Sequence, residues 1–210
     1  MVGTLITIEG LDGAGKTTLA SGLLAAARER GADALLLREP GGVALSERLR
    51  EIVKDPALRV GPRAEALIYA AARAQLVDEL LLPELDAGRF VLLDRFVDSS
   101  LAYQGGGRGL GVAEIAELNR FGTGGLAPAR TLLLRIDPAL GRSRQDGRGD
   151  GPDRLELEDE RFFAAIARTY DEIAAAEPGR VRVIDAARPP AAVLEDALAA
   201  ITDLLPGAPE

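Results

Sequence analysis

The chain contains no cysteine and no histidine. Without cysteine there is no disulfide, no thiolate nucleophile and no Cys-ligated metal. Without histidine there is no imidazole base and no His-ligated zinc, which removes many hydrolase designs. Lysine is scarce: Lys16 and Lys54 stand in a chain whose other side-chain cations are all arginine. A sequence that writes Arg almost everywhere and Lys at position 16 points to a need for lysine there. No apolar run is long and charge-free enough to span a bilayer, and no signal-peptide pattern precedes the first strand-like segment. Long basic runs are missing, and the net charge is −8. A nucleic-acid partner held by phosphate neutralisation is therefore disfavoured. Small anions are not excluded, because a local pocket can be positive in an acidic protein. These absences fit a cytoplasmic enzyme or switch.

What is present is ordinary for one soluble domain: 210 residues, 47% hydrophobic and 28% charged,. Five apolar segments read as buried parallel strands, at 4–10, 34–40, 90–95, 131–137 and 181–186. Helical patterns lie between them, at 16–30, 45–54, 62–82, 112–121, 157–176 and 189–205. This alternation predicts an α/β fold: a doubly wound, five-stranded parallel sheet with helices on both faces, in a single domain over 1–210. Segment 142–154, RSRQDGRGDGPDR, is polar and rich in Gly and Arg. A solvated surface loop and a mobile lid both account for it. The tail at 206–210 is expected to fray.

The most specific signal is EGLDGAGKTTL, at 9–19. Gly10, Gly15, Lys16 and Thr17 complete the pattern G-x-x-x-x-G-K-[ST] between a strand and a helix. Glycines let backbone N–H groups point into one concavity and approach an anion closely. The start of the following helix adds unsatisfied donors and the positive end of its dipole. The loop Gly10, Leu11, Asp12, Gly13, Ala14, Gly15, Lys16, Thr17 and Thr18 is thus expected to hold ATP, with Lys16 reaching the β- and γ-phosphates and Thr17 on Mg²⁺. The guanine-reading tetrapeptide Asn-Lys-x-Asp is missing, because Lys54 precedes Asp-Pro, so a GTPase switch of the usual type is disfavoured.

Three further segments look like a second substrate site. REPGG at 38–42 ends the second strand, where open α/β sheets bind ligands; a Pro-Gly turn explains its last three residues but not Arg38 and Glu39. After the third strand, Asp94 can hold a Mg²⁺-bound water and Arg95 offers a bidentate fork for a phosphate. Ser99, Ser100, Tyr103 and Gln104 follow with groups able to read a base and sugar, although Asp98 or Ser99 also reads as a helix N-cap. On the long third helix, Tyr69 and Arg73 lie four apart and share a face. They fit either a flat heterocycle or a core tyrosine beside a surface arginine. Gln75 lies roughly 200° round from Arg73 and outside that pocket.

Together IEGLDGAGKTT, REPGG, the Tyr-Ala-Ala-Ala-Arg-Ala-Gln helix, DRF with SSLAYQGGGRGLG, and DRLE at 153–156 resemble the bacterial thymidylate kinases (dTMP kinases) over nearly the whole length. The resemblance implies that Asp12 contacts the sugar 3′-hydroxyl of dTMP and that Arg95 holds its phosphate, with Arg50 as a weaker candidate. It implies that Arg73, Ser100 and Gln104 lie against the thymine, that Tyr69 stacks where Phe is usual, and that Tyr103 crowds the sugar 2′ position. It also implies a homodimer. Val43 replaces the family's usual Thr, and Phe96 its Tyr. Gly13 stands where some members carry an Arg; members without it supply arginines from the lid, which makes Arg144 and Arg148 the candidates here. The implied reaction is in-line transfer of the ATP γ-phosphoryl group to an already ionised phosphate of dTMP, needing Mg²⁺ and no general base. The alternatives are another nucleoside monophosphate or deoxynucleoside kinase, or a regulatory ATPase of the same loop class.

Overall fold

The computed structural model describes residues 3–145 and 154–205. Its elements follow in the order β1 (Thr4–Gly10), α1 (Lys16–Glu29), β2 (Ala34–Arg38), α2 (Ala44–Lys54), α3 (Pro62–Leu76), α4 (Leu82–Asp86), β3 (Phe90–Asp94), α5 (Val97–Ser100), α6 (Val112–Thr123), β4 (Arg130–Arg135), α7 (Pro138–Gln145), α8 (Glu160–Ala176), β5 (Val181–Asp185) and α9 (Pro190–Ala200). The strands form one parallel sheet ordered β2-β3-β1-β4-β5, with Ile8 opposite Asp94 and Gly10 opposite Leu134.

The inner strands are near-continuous apolar runs because helices cover both faces of a parallel sheet. Side chains alternate across it. Ile6, Ile8 and Leu92 join one apolar cluster, with Leu19, Leu23, Ile166 and Ala197 from the helices. Leu5, Val91 and Leu93 join the other, with Leu76, Val77 and Leu81. Leu92 has no exposed surface, and truncation to Ala would cost about 2–5 kcal/mol.

All five strands lie where expected, most ending a residue or two early. The segment read as one helix from 62 to 82 is instead α3, a wide π turn over Val77–Leu81, and α4. The cause is Pro83, which has no N–H to give and whose ring crowds the carbonyl four residues back. A second π turn, Leu101–Gly107, carries LAYQGGG. Its glycines permit close approach to α8: a Cβ on Gly106 would sit 2.0 Å from the Thr169 hydroxyl, and one on Gly107 2.7 Å from the Phe162 ring.

Two further expectations need correction. Residues 142–145 are not loop; they close α7, whose first N–H groups, from Ala139 and Leu140, donate to the Asp137 carboxylate. The rest of the proposed lid, including Arg148 and Asp153, and the tail at 206–210 lie outside the described residues. Nor is α5 capped by Asp98 or Ser99. Glu9, from β1, accepts from the Phe96 and Ser99 backbone N–H groups, while Asp98 is buried against Arg180 and Thr131.

Candidate active site

β1 ends in the phosphate loop, and α1 begins at Lys16 directly after Gly15, whose φ is 94°. The Lys16 ammonium donates to the carbonyls of Leu11 (2.9 Å) and Gly10 (3.2 Å) and lies 3.6 Å from Asp12 Oδ1. Burial, helped by the charge of Arg95, lowers its pKa to about 8. Thr17 places its hydroxyl 3.5 Å from Asp94 Oδ2. Asp94 Oδ1 is buried without a hydrogen-bond partner among the described residues. Thr18 is exposed beside Thr17, while Leu11, Gly13 and Ala14 face inward.

The loop opens into a cleft of about 580 Å³ at the carboxyl ends of β1, β2 and β3; Asp12, Lys16, Thr17, Arg50, Tyr69, Arg73, Asp94, Arg95, Ser100, Tyr103 and Gln104 all line it. The sites inferred from separate segments therefore meet in one place. Arg95 is the centre of one wall. Its φ of 70° is the one positive value of a non-glycine among the described residues, a strained conformation held by flanking bonds. Its own N–H donates to Ile8, and the next N–H donates to Glu9. The guanidinium donates to Asp12 Oδ1 (2.5 Å), the Gly10 carbonyl (3.1 Å), the Ser99 hydroxyl (3.1 Å) and the Tyr103 hydroxyl (3.3 Å). Burial alone would raise the Asp12 carboxyl, but Arg95 and Lys16 hold it well below the usual carboxylate range. Glu9 is wholly buried; burial and Asp98 raise its pKa, and Ser99 and Tyr170 donate to it.

On the opposite wall, one of the two readings of Arg73 drops out: it is not a surface residue but 2% exposed. Its guanidinium donates to Glu39 (2.7 Å), Ser100 (2.8 Å), the Phe96 carbonyl (2.9 Å) and Asn119. Burial pushes Glu39 up to about 7 despite that ion pair, and its Oε1 has no partner among the described residues. Arg50 donates to the Pro40 carbonyl at 2.9 Å, half-buried on the rim. Gln75 bonds Glu79 and does not line the cleft.

Sequence reasoning did not single out Glu65 and Asn119. Glu65 sits in the first turn of α3, where an acid merely complements the helix dipole, and a lone Asn on a helix carries no signal. Asp159 caps α8 through the Phe162 N–H, Glu158 pairs with Arg108, and Glu160 lies 3.6 Å from Arg142.

On the far side of the loop, α7 approaches so closely that a Cβ on Gly13 would sit 2.0 Å from the Gly141 carbonyl oxygen. Any larger residue at 13 would need α7 elsewhere. Arg144 donates to the Ala186 carbonyl (2.9 Å), beyond β5, and does not line the main cleft. A second cavity of about 610 Å³ opens there, between Leu11, the Asp137–Pro138 turn and Ala187.

Chemically, the cleft offers a loop for a polyphosphate and, a few ångströms away, an arginine fork beside a flat pocket with fixed polar groups. That combination suits transfer of a phosphoryl group between two bound nucleotides. The family model for thymidylate kinase matches residues 8–197. The chain is 50% identical to a thymidylate kinase of Halorhodospira halophila, across 97% of this chain and 96% of that protein. It is 49% identical to one from Deinococcus radiodurans, across 89% and 90%. The crystal structure of thymidylate kinase from Ehrlichia chaffeensis superposes with a TM-score of 0.79 at 27% identity, covering 95% of this chain and 98% of that one. With the family model matching residues 8–197 and relatives about half identical over most of both chains, the chain belongs to the thymidylate kinase family.

Proposed function

We propose that this protein transfers the γ-phosphoryl group of ATP to the phosphate of dTMP, giving dTDP and ADP for dTTP synthesis. The observation that carries this is the meeting of Lys16 and Arg95 on one atom: both donate to the Gly10 carbonyl oxygen, at 3.2 and 3.1 Å. A loop cation for the donor and a fork for the acceptor are thus adjacent. The acceptor is already ionised, so a chain without histidine needs no general base. The protein's part is positioning and charge neutralisation.

Lys16 holds the β- and γ-phosphates, among the backbone donors of residues 10–18. Arg95 takes the dTMP phosphate and screens its repulsion from ATP, with Arg50 as a second cation on the rim. Asp12 receives the 3′-hydroxyl, Tyr103 blocks the 2′ position, and Tyr69, Arg73, Ser100 and Gln104 receive the thymine. Arg144 and Arg148 act from the lid. Mg²⁺ fits beside Thr17 and Asp94, because the Asp94 Oδ1 is buried and unpaired there and hard cations take carboxylate and hydroxyl oxygens. Bound with ATP, it would neutralise charge on the transferring group.

The same proposal includes a cytoplasmic homodimer with nucleotides, not nucleic acid or membrane, as its ligands. No helix among the described residues is long and apolar enough to cross a membrane. Support for the dimer comes from α2, α3 and α6, which pack in succession and leave Leu45, Leu67 and Phe121 exposed, the last by 87%. Large exposed apolar side chains on adjoining helices mark an interface.

The test is ADP release with Mg-ATP against dTMP, dUMP, UMP, dCMP, AMP, GMP and thymidine. Preference for dTMP, with dTDP formed one-for-one, is the expected outcome. Preference for thymidine would make it a nucleoside kinase, and no acceptor dependence would leave a regulatory ATPase.

A further inference from the structure

Glu65 has no exposed surface, yet its carboxylate is surrounded by donors. Gln104 Nε2 donates to Oε1 at 2.9 Å. Arg108 forks onto both oxygens at 2.9–3.2 Å, and Arg154 donates to Oε2 at 2.6 Å. Arg108 is itself held by Glu158 and lies over the Phe162 ring. Burial alone would raise the Glu65 pKa, but the bonds from Arg108, Gln104 and Arg154 hold it low. Two arginines thus keep Glu65 ionised, and an ionised carboxylate can only accept.

That restriction decides which way round the neighbouring amide sits. Gln104 lines the cleft, and an amide can present either an acceptor or two donors to a ligand. Against Glu65 it must commit its NH₂. Its Oε1 has no hydrogen-bond partner among the described residues. We infer that Glu65 is a specificity-determining positioning residue: by taking the Gln104 NH₂, it fixes the Gln104 carbonyl as an acceptor for a ring N–H of the acceptor base. A pyrimidine that is protonated at N3, such as thymine or uracil, satisfies that acceptor. Cytosine, whose N3 is itself an acceptor, leaves two acceptors facing each other, and polar mismatches of this kind discriminate strongly. Arg154 adds a further consequence. It also donates to the Val53 carbonyl, so the last residue of the 142–154 segment shares a carboxylate with the group that reads the base.

This rests on the acceptor pocket proposed above. The experiment compares kcat/KM for dUMP and dCMP, which differ only at ring positions 3 and 4, with dTMP as the reference. In Glu65→Gln the new amide can donate to Gln104 Oε1 and let it turn round. The dUMP/dCMP ratio should fall at least tenfold while thermal unfolding reports a folded protein. Equal losses on both substrates, with the ratio unchanged, would show a merely structural role and overturn the inference. If Glu65→Gln does not fold, Gln104→Leu keeps Glu65 and both arginines in place; an unchanged ratio in that variant overturns the inference as surely. A wild-type enzyme that turns over neither dTMP nor dUMP would overturn the acceptor reading itself, a result that the variants cannot mimic.

Discussion

Arg95 and Asp12 form the shortest ion pair across the cleft, 2.5 Å from Nη2 to Oδ1, and Asp12 in turn lies 3.6 Å from Lys16. The carboxylate therefore sits between two cations of the site, Arg95 and Lys16. Arg95 meets four acceptors with a planar fork, over the Tyr103 ring at 5.1 Å. A lysine ammonium cannot reproduce that fork. In Arg95→Lys, kcat/KM for dTMP should fall about 10–100-fold, the worth of a charge-assisted bond or two. The ATP dissociation constant should stay within about threefold. Initial rates and nucleotide titrations check both, and an equal loss on the ATP side would show that Arg95 serves the donor.

Lys16 gives a pH signature. With its pKa lowered to about 8, about half of the protein carries a neutral Lys16 at pH 8. A triphosphate favours the ammonium, so binding should draw in up to about half a proton at pH 8 and almost none near pH 6.5. Calorimetry in two buffers of different ionisation enthalpy reads this directly. Buffer-independent heats at pH 8 would show that Lys16 is already charged.

Glu39, which lines the cleft and pairs with Arg73, links the site to stability. Its pKa in the folded protein is raised to about 7 from 4.5. Between those values the folded state binds the extra proton, so stability falls as pH rises through that window. The upper bound is roughly 3 kcal/mol. Glu39→Gln removes this slope. Denaturant midpoints measured from pH 4.5 to 8 should show the wild type losing stability relative to the variant as pH rises. Parallel curves would place the Glu39 pKa near its ordinary value.

The parts that sequence made legible share one property: their chemistry is local. Strand runs such as FVLLD, the phosphate loop and the Asp94-Arg95 pair each declare themselves within a few residues. Arg73 was legible as a candidate but not as a buried one, because its partners come from three places: Glu39 before α2, Phe96 and Ser100 around α5, and Asn119 in α6. Glu65 was invisible for the same reason. A carboxylate in a helix's first turn looks like a surface charge until Arg108 and Arg154, 43 and 89 residues away in sequence, close on it.

Tyr103 should govern the choice of sugar. Its hydroxyl donates to Asp12 Oδ2 at 3.0 Å, and its ring packs edge-on against Phe162. A ring clamped by two bonds and an aromatic contact cannot swing aside for an added 2′-hydroxyl. Tyr103→Ala should raise the UMP/dUMP ratio of kcat/KM, even as both values fall. An unchanged ratio would move the 2′ selection to another residue.

Arg144 sits at the edge of the site. Gly13 and Gly141 let α7 rest on the phosphate loop, which brings Arg144 to the loop's far side, where it donates to the Ala186 carbonyl. A neutral carbonyl is a weaker partner than a phosphate oxygen, so a charged γ-phosphoryl group nearby can draw the guanidinium away. If Arg144 makes that exchange in the transition state, Arg144→Ala should lower turnover by about 10³–10⁵, equivalent to about 4–7 kcal/mol. The dTMP dissociation constant should move by no more than about threefold, because in the proposed arrangement the acceptor lies against Arg95 in the main cleft, which Arg144 does not line. Arg148→Ala, in the segment outside the described residues, provides the matching measurement. A large loss in only one variant identifies the arginine that acts on the transferring group. Wild-type turnover in both would reduce the lid to a cover against water, and the charge neutralisation would then fall to Lys16, Arg95 and the metal alone.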